Sequence, residues 1–467
     1  MLEKNQVYEV EIIDNGYQGE GIAKIENFPI FIPNAIKGEK AEIKILKVQA
    51  NFAYGKIIKI LEPAESRVEA DCEQYAKCGG CSLRHIDYKY TLNIKKAIVQ
   101  NCLYKSLNRE LKVEDVIGME KPLYYRNKLQ YPVGLDKEGQ AVMGVYAART
   151  HTIVPVTNCY IQNEKCNEIA NDIFKFIKEN NISVYNEETL KGTIRHIVIR
   201  IGVKTNEVLV TIVVNDNNLK KQEELINYIT SKHPEVKSIV KNFNMKNTNV
   251  ILGDKTEVIF GSGYIYDILG DYKFKISPLS FYQVNPIQTE ILYNTAIDGV
   301  EEPPVSFADS PLVKGADVAF DLYCGIGTIG IFASKKFKKV YGIEIVEQAI
   351  EDAKENARIN NVDNIEFYAG DVEKVLPQIL EKIEEKSNTV FVDPPRKGLD
   401  NKTINLLKDL KPKNIIYISC NPATLARDLK ELEEKYEIQK VQPVDMFPYT
   451  SHVECCSVLE LRESTEI

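Results

Sequence analysis

The sequence has no apolar run of the ~20 residues that a membrane-spanning helix requires. Residues 1–6 also lack the layout of a secretory signal peptide. Ten cysteines are few for 467 residues, which argues against a disulfide-stabilised secreted fold. These absences predict a cytoplasmic protein with no membrane partner, in which cysteines act as ligands or nucleophiles rather than forming disulfides.

An overall positive charge is also missing, because the formal net charge is -8. The excess of negative charge lies in the C-terminal part of the chain. Residues 1–280 hold 38 Lys and Arg against 35 Asp and Glu, a balance of +3, whereas residues 281–467 hold 21 against 32, a balance of -11. Any contact with nucleic acid would therefore depend on local basic patches, since the whole protein has no positive field.

Three parts of the chain differ in their sequence pattern, as expected for a chain of this length. Residues 1–61 alternate short apolar stretches with Gly-rich turns, which predicts a small β-barrel. Residues 62–275 combine cysteines with helical and strand patterns, which predicts an α+β domain. In residues 276–467 helices and strands alternate, which predicts a mostly parallel sheet covered by helices. Within this part, the Pro-rich stretch 301–316 is expected to be a surface loop.

A glycine-rich turn marks a candidate cofactor pocket in the C-terminal part. Residues 321–330 run from a predicted strand through Gly325 and Gly327 into a predicted helix. The next strand ends in Glu344, 19 residues after Gly325, where a carboxylate can accept hydrogen bonds from ribose hydroxyls. A glycine pattern alone is weak evidence, but this combination predicts an adenosine-containing ligand. NAD and S-adenosylmethionine both fit at this point.

The turn after another predicted strand favours S-adenosylmethionine. Residues 389–392 are followed by Asp393, Pro394 and Pro395. The prolines stiffen the turn and restrict the backbone beside the pocket. Such a turn is typical of methyltransferases that act on planar bases. The alternative is a simple strand end, because Pro-Pro pairs also stop strands that have no function.

A lone cysteine, Cys420, ends the β-branched run of residues 415–419, at the sheet edge where open α/β folds bind ligands. Methylation of a pyrimidine at C5 requires a nucleophile of this kind, because thiolate attack on C6 makes C5 reactive. A general base must then remove the C5 proton. Glu454, at the start of the last predicted strand, is the first candidate for this base, and His452 is the second.

Other residues near these two have simpler interpretations. Cys455 and Cys456 lie in an apolar strand and are expected to be packing residues. A free cysteine has a pKa of ~8.5, so a neighbouring group must favour the thiolate of Cys420. The sequence does not identify that group; Arg427, one or two helical turns further on, is the candidate it offers.

These motifs together resemble the RNA uracil-C5 methyltransferases, which form 5-methyluridine. The resemblance extends over nearly the whole chain, and its marks are residues 321–325, 393–396, 419–422 and 452–454. It implies a Rossmann-like S-adenosylmethionine-dependent methyltransferase domain at the C-terminus and a TRAM domain that binds RNA at residues 1–61. It also implies that residues 85–117 pack on the catalytic domain.

The same resemblance implies roles for individual residues. Cys420 corresponds to the family's nucleophile and Glu454 to its general base. The implied contacts to S-adenosylmethionine are Gln283, Tyr323, Thr328, Glu344, Asp371 and Asp393.

Cys72, Cys78 and Cys81 form a C-x5-C-x2-C cluster, and Cys159 follows at a distance. Thiolates suit either zinc or an iron–sulfur cluster. Zinc usually takes two close pairs, and radical enzymes that cleave S-adenosylmethionine use a tighter run, so the pattern favours a structural four-cysteine [4Fe–4S] cluster. Other candidates for the fourth ligand are Cys102 and Cys166. Buried free thiols are the remaining alternative.

The resemblance also bears on the substrate, because ribosomal-RNA members of the family carry such a cluster and tRNA members typically lack it. The prediction is therefore a monomeric enzyme that methylates uridine C5 in 23S ribosomal RNA. The rivals are an enzyme acting on the T-loop of tRNA and a non-catalytic RNA-binding iron–sulfur protein. Candidate RNA contacts, each more often a solvated surface charge when taken alone, are Arg126, Lys128, Arg195 and Arg200.

Overall fold

The computed structural model describes residues 2–148, 150–300, 316–383 and 389–462. All but the last residue of the loop expected at 301–316 lies outside these ranges. The described residues form a six-stranded sheet, two seven-stranded sheets and a two-stranded hairpin. Among their helices, none combines the length and the apolar character needed to span a bilayer.

The N-terminal sheet has the strand order β1-β5-β6-β4-β3-β2. Alternate residues such as Ile30, Ile32, Ile43 and Ile45 point inward and are fully buried, as the two-residue period of a strand requires. This confirms the predicted TRAM-like barrel. Its strands are β1 (Val7–Glu11), β2 (Asp14–Asn15), β3 (Gly21–Ile25), β4 (Phe28–Ile32), β5 (Lys40–Val48) and β6 (Ala53–Glu62).

The central sheet has the order β13-β12-β11-β10-β7-β8-β9, and helices α2 and α3 pack on one of its faces. Leu129, Ile197 and Ile199 point towards these helices, and the residues between them point to the opposite face. The elements of this part are α1 (Tyr88–Leu107), β7 (Lys128–Leu135), β8 (Ala141–Tyr146), β9 (Ile153–Pro155), α2 (Glu164–Glu179), β10 (Ile194–Ile201), β11 (Val208–Val214), α3 (Gln222–Lys232), β12 (Val236–Phe243), β13 (Lys255–Gly261), β14 (Ile265–Leu269) and β15 (Tyr272–Ile276).

The C-terminal sheet has the order β18-β17-β16-β19-β20-β22-β21. Its first five strands are parallel, and β22 runs antiparallel to β20. This confirms the predicted Rossmann-like domain. Its elements are α4 (Pro286–Asp298), β16 (Ala316–Leu322), α5 (Thr328–Ala333), β17 (Phe337–Glu344), α6 (Glu347–Ile359), β18 (Ile365–Ala369), α7 (Val372–Leu380), β19 (Thr389–Val392), α8 (Asn401–Leu410), β20 (Asn414–Ser419), α9 (Pro422–Leu432), β21 (Tyr436–Val444) and β22 (Glu454–Leu461).

Helix α1 connects the central part of the chain to the C-terminal sheet. The Ser106 hydroxyl donates a hydrogen bond to the carbonyl of Ala426 in α9, at 2.9 Å. Lys95 forms a fully buried ion pair with Asp445, which follows β21. Because breaking a buried ion pair leaves an uncompensated charge, this contact anchors α1 beside the chain that leads to Glu454.

Candidate active site

Cys420 and Glu454 lie at the same edge of the C-terminal sheet. Cys420 directly follows β20, and Glu454 is the first residue of β22. Ser419 pairs with Cys455 in the antiparallel ladder, so Cys420 and Glu454 are the next residues at that end of the pair. The sheet thus places the predicted nucleophile beside the predicted base.

Glu454 is buried, with 3% of its surface exposed. Burial raises the pKa of its carboxyl to about 8, and the negative charge of Asp393 adds to this effect, whereas Arg396 opposes it. At neutral pH most of the carboxyl is therefore protonated. Once ionised, it is a stronger base than an ordinary carboxylate.

Burial also raises the pKa of the Cys420 thiol, to about 11, and the charges of Glu454 and Asp393 act in the same direction. The cation that lowers this pKa is Arg396, in the turn that follows Asp393. Arg427 was predicted for this role, and that prediction is wrong. Its guanidinium is instead paired with Asp428, at 2.6 Å.

The position of Cys420 is set by Asn421, which caps helix α9. The Asn421 side-chain oxygen accepts a hydrogen bond from the Ala423 N–H at 3.1 Å, and Pro422 occupies the first helical turn. The Asn421 amide donates to the carbonyl of Arg396 at 3.1 Å. The Tyr17 hydroxyl, from the N-terminal barrel, donates to the same Asn421 oxygen at 2.8 Å. No sequence signal had indicated this contact between Tyr17 and the nucleophile's neighbour.

A cavity of about 290 Å³ opens beside Cys420. Besides the segment of Cys420 itself, three parts of the chain line it: Tyr17 from the barrel, Gly80 from the cysteine-rich segment, and the residues before β22, including His452. Burial lowers the pKa of His452, with Arg396 and Lys95 adding to this shift, so its imidazole is predominantly neutral at pH 7. His452 lines the same cavity as Cys420.

The predicted cofactor pocket lies at the carboxyl ends of β16 and β17. Gly325 and Gly327 adopt φ values of +53° and +81°, in the left-handed region that favours glycine. A Cβ on Gly327 would lie 2.6 Å from the ring of Phe367, whereas a Cβ on Gly325 would meet no atom within 4 Å. The backbone at Gly325 is therefore open to a ligand. Its N–H donates to Glu344 Oε2 at 3.3 Å.

Two buried carboxyls lie next to this loop. Asp321 Oδ2 accepts the Gly330 N–H at 2.7 Å, and its other oxygen is buried without a partner among the described residues. Burial raises the pKa of Asp321 to about 8. Asp393 keeps part of its surface exposed, but the atoms packed around its carboxyl exclude water and raise its pKa to about 7. Open backbone and unsatisfied acceptors together fit an adenosine-containing cofactor.

The other implied cofactor contacts surround the same loop. Tyr323 lies between β16 and Gly325, and Thr328 begins α5, where its hydroxyl is 3.1 Å from that of Tyr293. Asp371 lies just after β18, next to the end of β17, and pairs with Lys374 at 2.7 Å.

Gln283 is buried just before α4. The side chain of Asn127 donates to its backbone carbonyl at 3.0 Å, which ties this segment to the central sheet.

The three clustered cysteines and the distant Cys159 line one cavity of about 470 Å³, in agreement with the predicted grouping: Cys72, Cys78, Cys81 and Cys159. Burial raises the pKa of Cys81 to about 12, and Cys159 adds to the effect. The Gly80 N–H points at the sulfur of Cys78, at 3.3 Å. All four belong to the described chain, and no three of their sulfurs lie within 4.8 Å of one another. The alternatives for the fourth ligand, Cys102 and Cys166, do not line this cavity.

Comparisons with known proteins agree with this fold and site. The family model for tRNA (uracil-5-)-methyltransferases matches residues 312–462, and the model for the TRAM domain matches residues 2–58. An uncharacterized RNA methyltransferase of Clostridium tetani is 47% identical over 97% of this chain and 96% of its own. Another from Bacillus cereus is 45% identical over 97% of this chain and 96% of its own.

The crystal structure of a Pyrococcus abyssi tRNA (uracil-54, C5)-methyltransferase in complex with S-adenosyl-L-homocysteine superposes with a TM-score of 0.76. It is 29% identical, and the alignment covers 97% of this chain and 100% of that one. The fold and site thus define an S-adenosylmethionine-dependent methyltransferase that acts on RNA. The chain belongs to the RNA (uracil-5-)-methyltransferase family, in the form that carries a TRAM domain.

Proposed function

We propose that this enzyme methylates C5 of a uridine in 23S ribosomal RNA, with Cys420 as nucleophile and Glu454 as general base. The chemistry is supported by one observation above all, the position of Cys420 and Glu454 at adjacent strand ends. The choice of ribosomal RNA is supported by the cysteine cluster, which resembles that of the family's ribosomal-RNA members.

The reaction begins with attack of the Cys420 thiolate on uracil C6. The new S–C6 bond moves the electrons of the C5=C6 bond onto C5 and the neighbouring carbonyl, which makes C5 nucleophilic. The cation of Arg396 lowers the pKa of Cys420 and so favours the thiolate. The cavity beside Cys420 is the space for a base that has been unstacked from its loop.

S-adenosylmethionine, when bound, supplies the methyl group that the C5 carbanion accepts. Glu344 is placed to accept hydrogen bonds from ribose hydroxyls, and Gly325 allows close approach of the backbone. Asp393 and Tyr323 border the same pocket at the ends of β19 and β16.

Release of the product needs a base. Ionised Glu454 takes the C5 proton, the electrons of that C–H bond restore C5=C6, and the S–C6 bond breaks to return Cys420 as thiolate. The raised pKa of Glu454 makes its carboxylate an effective acceptor near pH 8. His452 is not needed as a base in this scheme.

A [4Fe–4S] cluster held by Cys72, Cys78, Cys81 and Cys159 has a structural role in the central domain. The four thiols line one cavity, and a backbone N–H points at one sulfur, an arrangement that stabilises a thiolate ligand. The sequence spacing of the four cysteines, three close together and one distant, favours this cluster over zinc.

Each domain has a separate role in this proposal. The barrel of residues 1–61 binds RNA, the central domain of residues 62–275 holds the cluster, and residues 276–467 carry out the transfer. Helix α1 packs on the catalytic domain through Lys95. The enzyme acts as a monomer in the cytoplasm.

A second candidate substrate is a T-loop uridine of tRNA. It is favoured by the similarity to the P. abyssi protein, which acts on uracil 54 of tRNA. Mapping 5-methyluridine in 23S ribosomal RNA and tRNA from a strain that lacks this protein separates the two. We expect loss of the modification from 23S ribosomal RNA, restored by the native chain and not by Cys420→Ala. Loss from tRNA alone would contradict the proposal and select the second candidate.

A further inference from the structure

Three cations lie near one another at the start of β7. Arg200 in β10 is directly opposite Lys128, the first residue of β7, so both project from the face of the central sheet that does not pack on α2 and α3. Arg126 lies two residues before β7, and its charge acts on Lys128. The side chains of Arg126, Lys128 and Arg200 are named the phosphate cluster below.

None of the three side chains of the phosphate cluster forms an ion pair with a carboxylate in the described part of the chain, and Arg126 also lines the cavity of the four cysteines. Arg200 is 6% exposed and donates one hydrogen bond, to the carbonyl of Ser280 at 2.6 Å, but its Nε is buried without a partner. The Nε of Arg126 is also buried without a partner.

Arg195, on the same strand, shows how a structural arginine differs. Its guanidinium donates to the carbonyls of Asn244 and Lys246 at 2.6 and 2.9 Å, and it lies over the ring of Tyr185. The interpretation of Arg195 and Arg200 as solvated surface charges is therefore wrong for both, since both are buried. Both arginines keep an Nε that is buried without a partner among the described residues, but Arg195 donates two hydrogen bonds that hold a loop, whereas Arg200 donates one.

Holding these charges together costs stability. Like charges directly opposite in a sheet repel, and burial without an anion adds a desolvation cost. Burial lowers the pKa of Lys128 to about 7, and the charges of Arg200 and Arg126 lower it further in the same direction. Burial alone lowers the pKa of Arg200 to about 10. An anionic ligand would remove both penalties.

Neighbours of Arg126 along the chain contact the catalytic domain. The hydroxyl of Tyr125, just before Arg126, donates to the carbonyl of Pro448 at 3.2 Å, and Asn127, between Arg126 and Lys128, donates to that of Gln283. Pro448 precedes the base Glu454 by six residues. Phe281, next to the Ser280 that binds Arg200, is 67% exposed and offers a ring on which a base can stack.

We propose that Arg126, Lys128 and Arg200 bind backbone phosphates of the RNA strand beside the target uridine, while Phe281 stacks on a neighbouring base. This inference rests on RNA as the substrate and deepens the proposed function, because it identifies where the strand is held. It does not depend on which RNA is modified. Phosphate oxygens supply the missing negative charge and the missing acceptors in one ligand.

The test compares Lys128→Gln with a matched control, Lys137→Gln, in the full-length Cys420→Ala enzyme, which binds RNA without reacting. Lys137 is exposed in the turn between β7 and β8, nine residues from Lys128. The probe is a hairpin RNA with one uridine in a single-stranded loop. Its dissociation constant is measured between 50 and 200 mM salt, about the range in which counterion release is readily seen.

Lys128→Gln should weaken RNA binding by about tenfold at the low-salt end and reduce the slope of log affinity against log salt by about 0.7. Lys137→Gln should leave both nearly unchanged. Equal effects of the two substitutions, or an unchanged slope with Lys128→Gln, would overturn the proposal. If the RNA-binding test fails, the proposed chemistry at Cys420 is unaffected. If the mapping of 5-methyluridine contradicts the proposed substrate, the measured salt dependence of RNA binding still stands. The two failures are therefore distinguishable.

Two further readouts separate a phosphate site from a structural one. Because Lys128→Gln removes like-charge repulsion, we expect its melting temperature to equal or exceed that of the parent; a fall of several degrees together with weaker RNA binding would assign the lysine to folding and overturn the proposal. The affinity for S-adenosylmethionine should stay unchanged. Weaker cofactor binding with normal RNA binding would instead assign the cations to the cofactor carboxylate.

Replacing single phosphates beside the loop uridine by uncharged methylphosphonates gives a direct check. If Lys128 binds the phosphate at a given linkage, the methylphosphonate and Lys128→Gln remove the same contact. Together they should then weaken binding by less than the product of their separate effects. Fully multiplicative effects at every linkage would contradict a direct contact.

Discussion

Ser419 and Cys455 are opposite each other in the antiparallel pairing of β20 and β22, and the residues beyond them are Cys420 and Glu454. The proposed nucleophile and the proposed base therefore occupy adjacent ends of two hydrogen-bonded strands. A nucleophile and a base held this way need little reorganisation between the two halves of the reaction.

Cys420→Ala should abolish methyl transfer, because no other thiol faces the cavity among the described residues. Binding of S-adenosylmethionine should be retained, since the glycine loop lies on another strand. Both are measured with the same protein, by transfer of labelled methyl groups to RNA and by calorimetry. Cys102→Ala, at a cysteine in α1, serves as the control and should keep turnover. Residual turnover by Cys420→Ala would contradict the mechanism.

Glu454→Gln should accumulate a covalent RNA–protein adduct, because the C5 proton cannot leave and Cys420 stays bound to C6. A denaturing gel with labelled substrate RNA reveals the adduct as a slowly migrating band. The double variant that also carries Cys420→Ala should show no such band. Normal turnover by Glu454→Gln would instead identify a different base.

Arg396→Gln should raise the pKa of Cys420, because the cation that opposes burial and two carboxylates is lost. The rate of thiol alkylation at pH 8 should fall, because a smaller fraction of the thiol is ionised when its pKa is higher. Arg427→Gln is the matched control, since Arg427 pairs with Asp428 and should leave thiol reactivity unchanged. Equal loss in both variants would contradict a specific role of Arg396.

The contribution of Glu454 and Asp321 to the free energy of unfolding should fall as the pH rises from about 4 to about 8. Glu454 and Asp321 have pKa values of about 8 in the folded protein, above the value of about 4 in an unfolded chain. Folding therefore favours their protonated forms, and that stabilisation is lost as pH rises through the folded pKa. Thermal unfolding should show Glu454→Gln to be more stable than the native chain at pH 9, by a few degrees, and not at pH 4. A constant difference across this range would contradict the raised pKa of Glu454.

Cys81→Ser should lose the iron–sulfur cluster, because one of four thiolate ligands is removed. Iron and sulfide analysis after anaerobic purification should give about four of each per native chain and much less in the variant. Cys166→Ser, at a buried cysteine of α2 outside the cavity, should keep its iron. Stoichiometric zinc in the native chain would overturn the cluster assignment.

The sequence predicted the C-terminal fold well, because its strands and helices have strong local periods and clear caps. The glycine loop, Glu344 and Asp393 follow from their positions at strand ends, and the structure places all three at one edge. The sequence offered Cys420 and Glu454 as candidates from their places at predicted strand ends, and the family resemblance supported both. The pairing of β20 with β22 is a long-range relationship, so the pattern did not show that the two residues are adjacent.

Other relationships had no local signal. Arg427 is close to Cys420 along the chain, whereas Arg396 is distant along the chain and close in the fold. The folded turn after Asp393 makes Arg396 the cation that lowers the pKa of Cys420. The burial of Arg200 depends on the catalytic domain packing over that face of the central sheet. Composition could not distinguish such a cation from a solvated one.

Tyr17 and Asn421 are separated by 404 positions, yet a hydrogen bond joins them. Tyr17 also lines the cavity beside Cys420. The barrel and the catalytic sheet therefore form this cavity together, so removal of the barrel would open one of its walls.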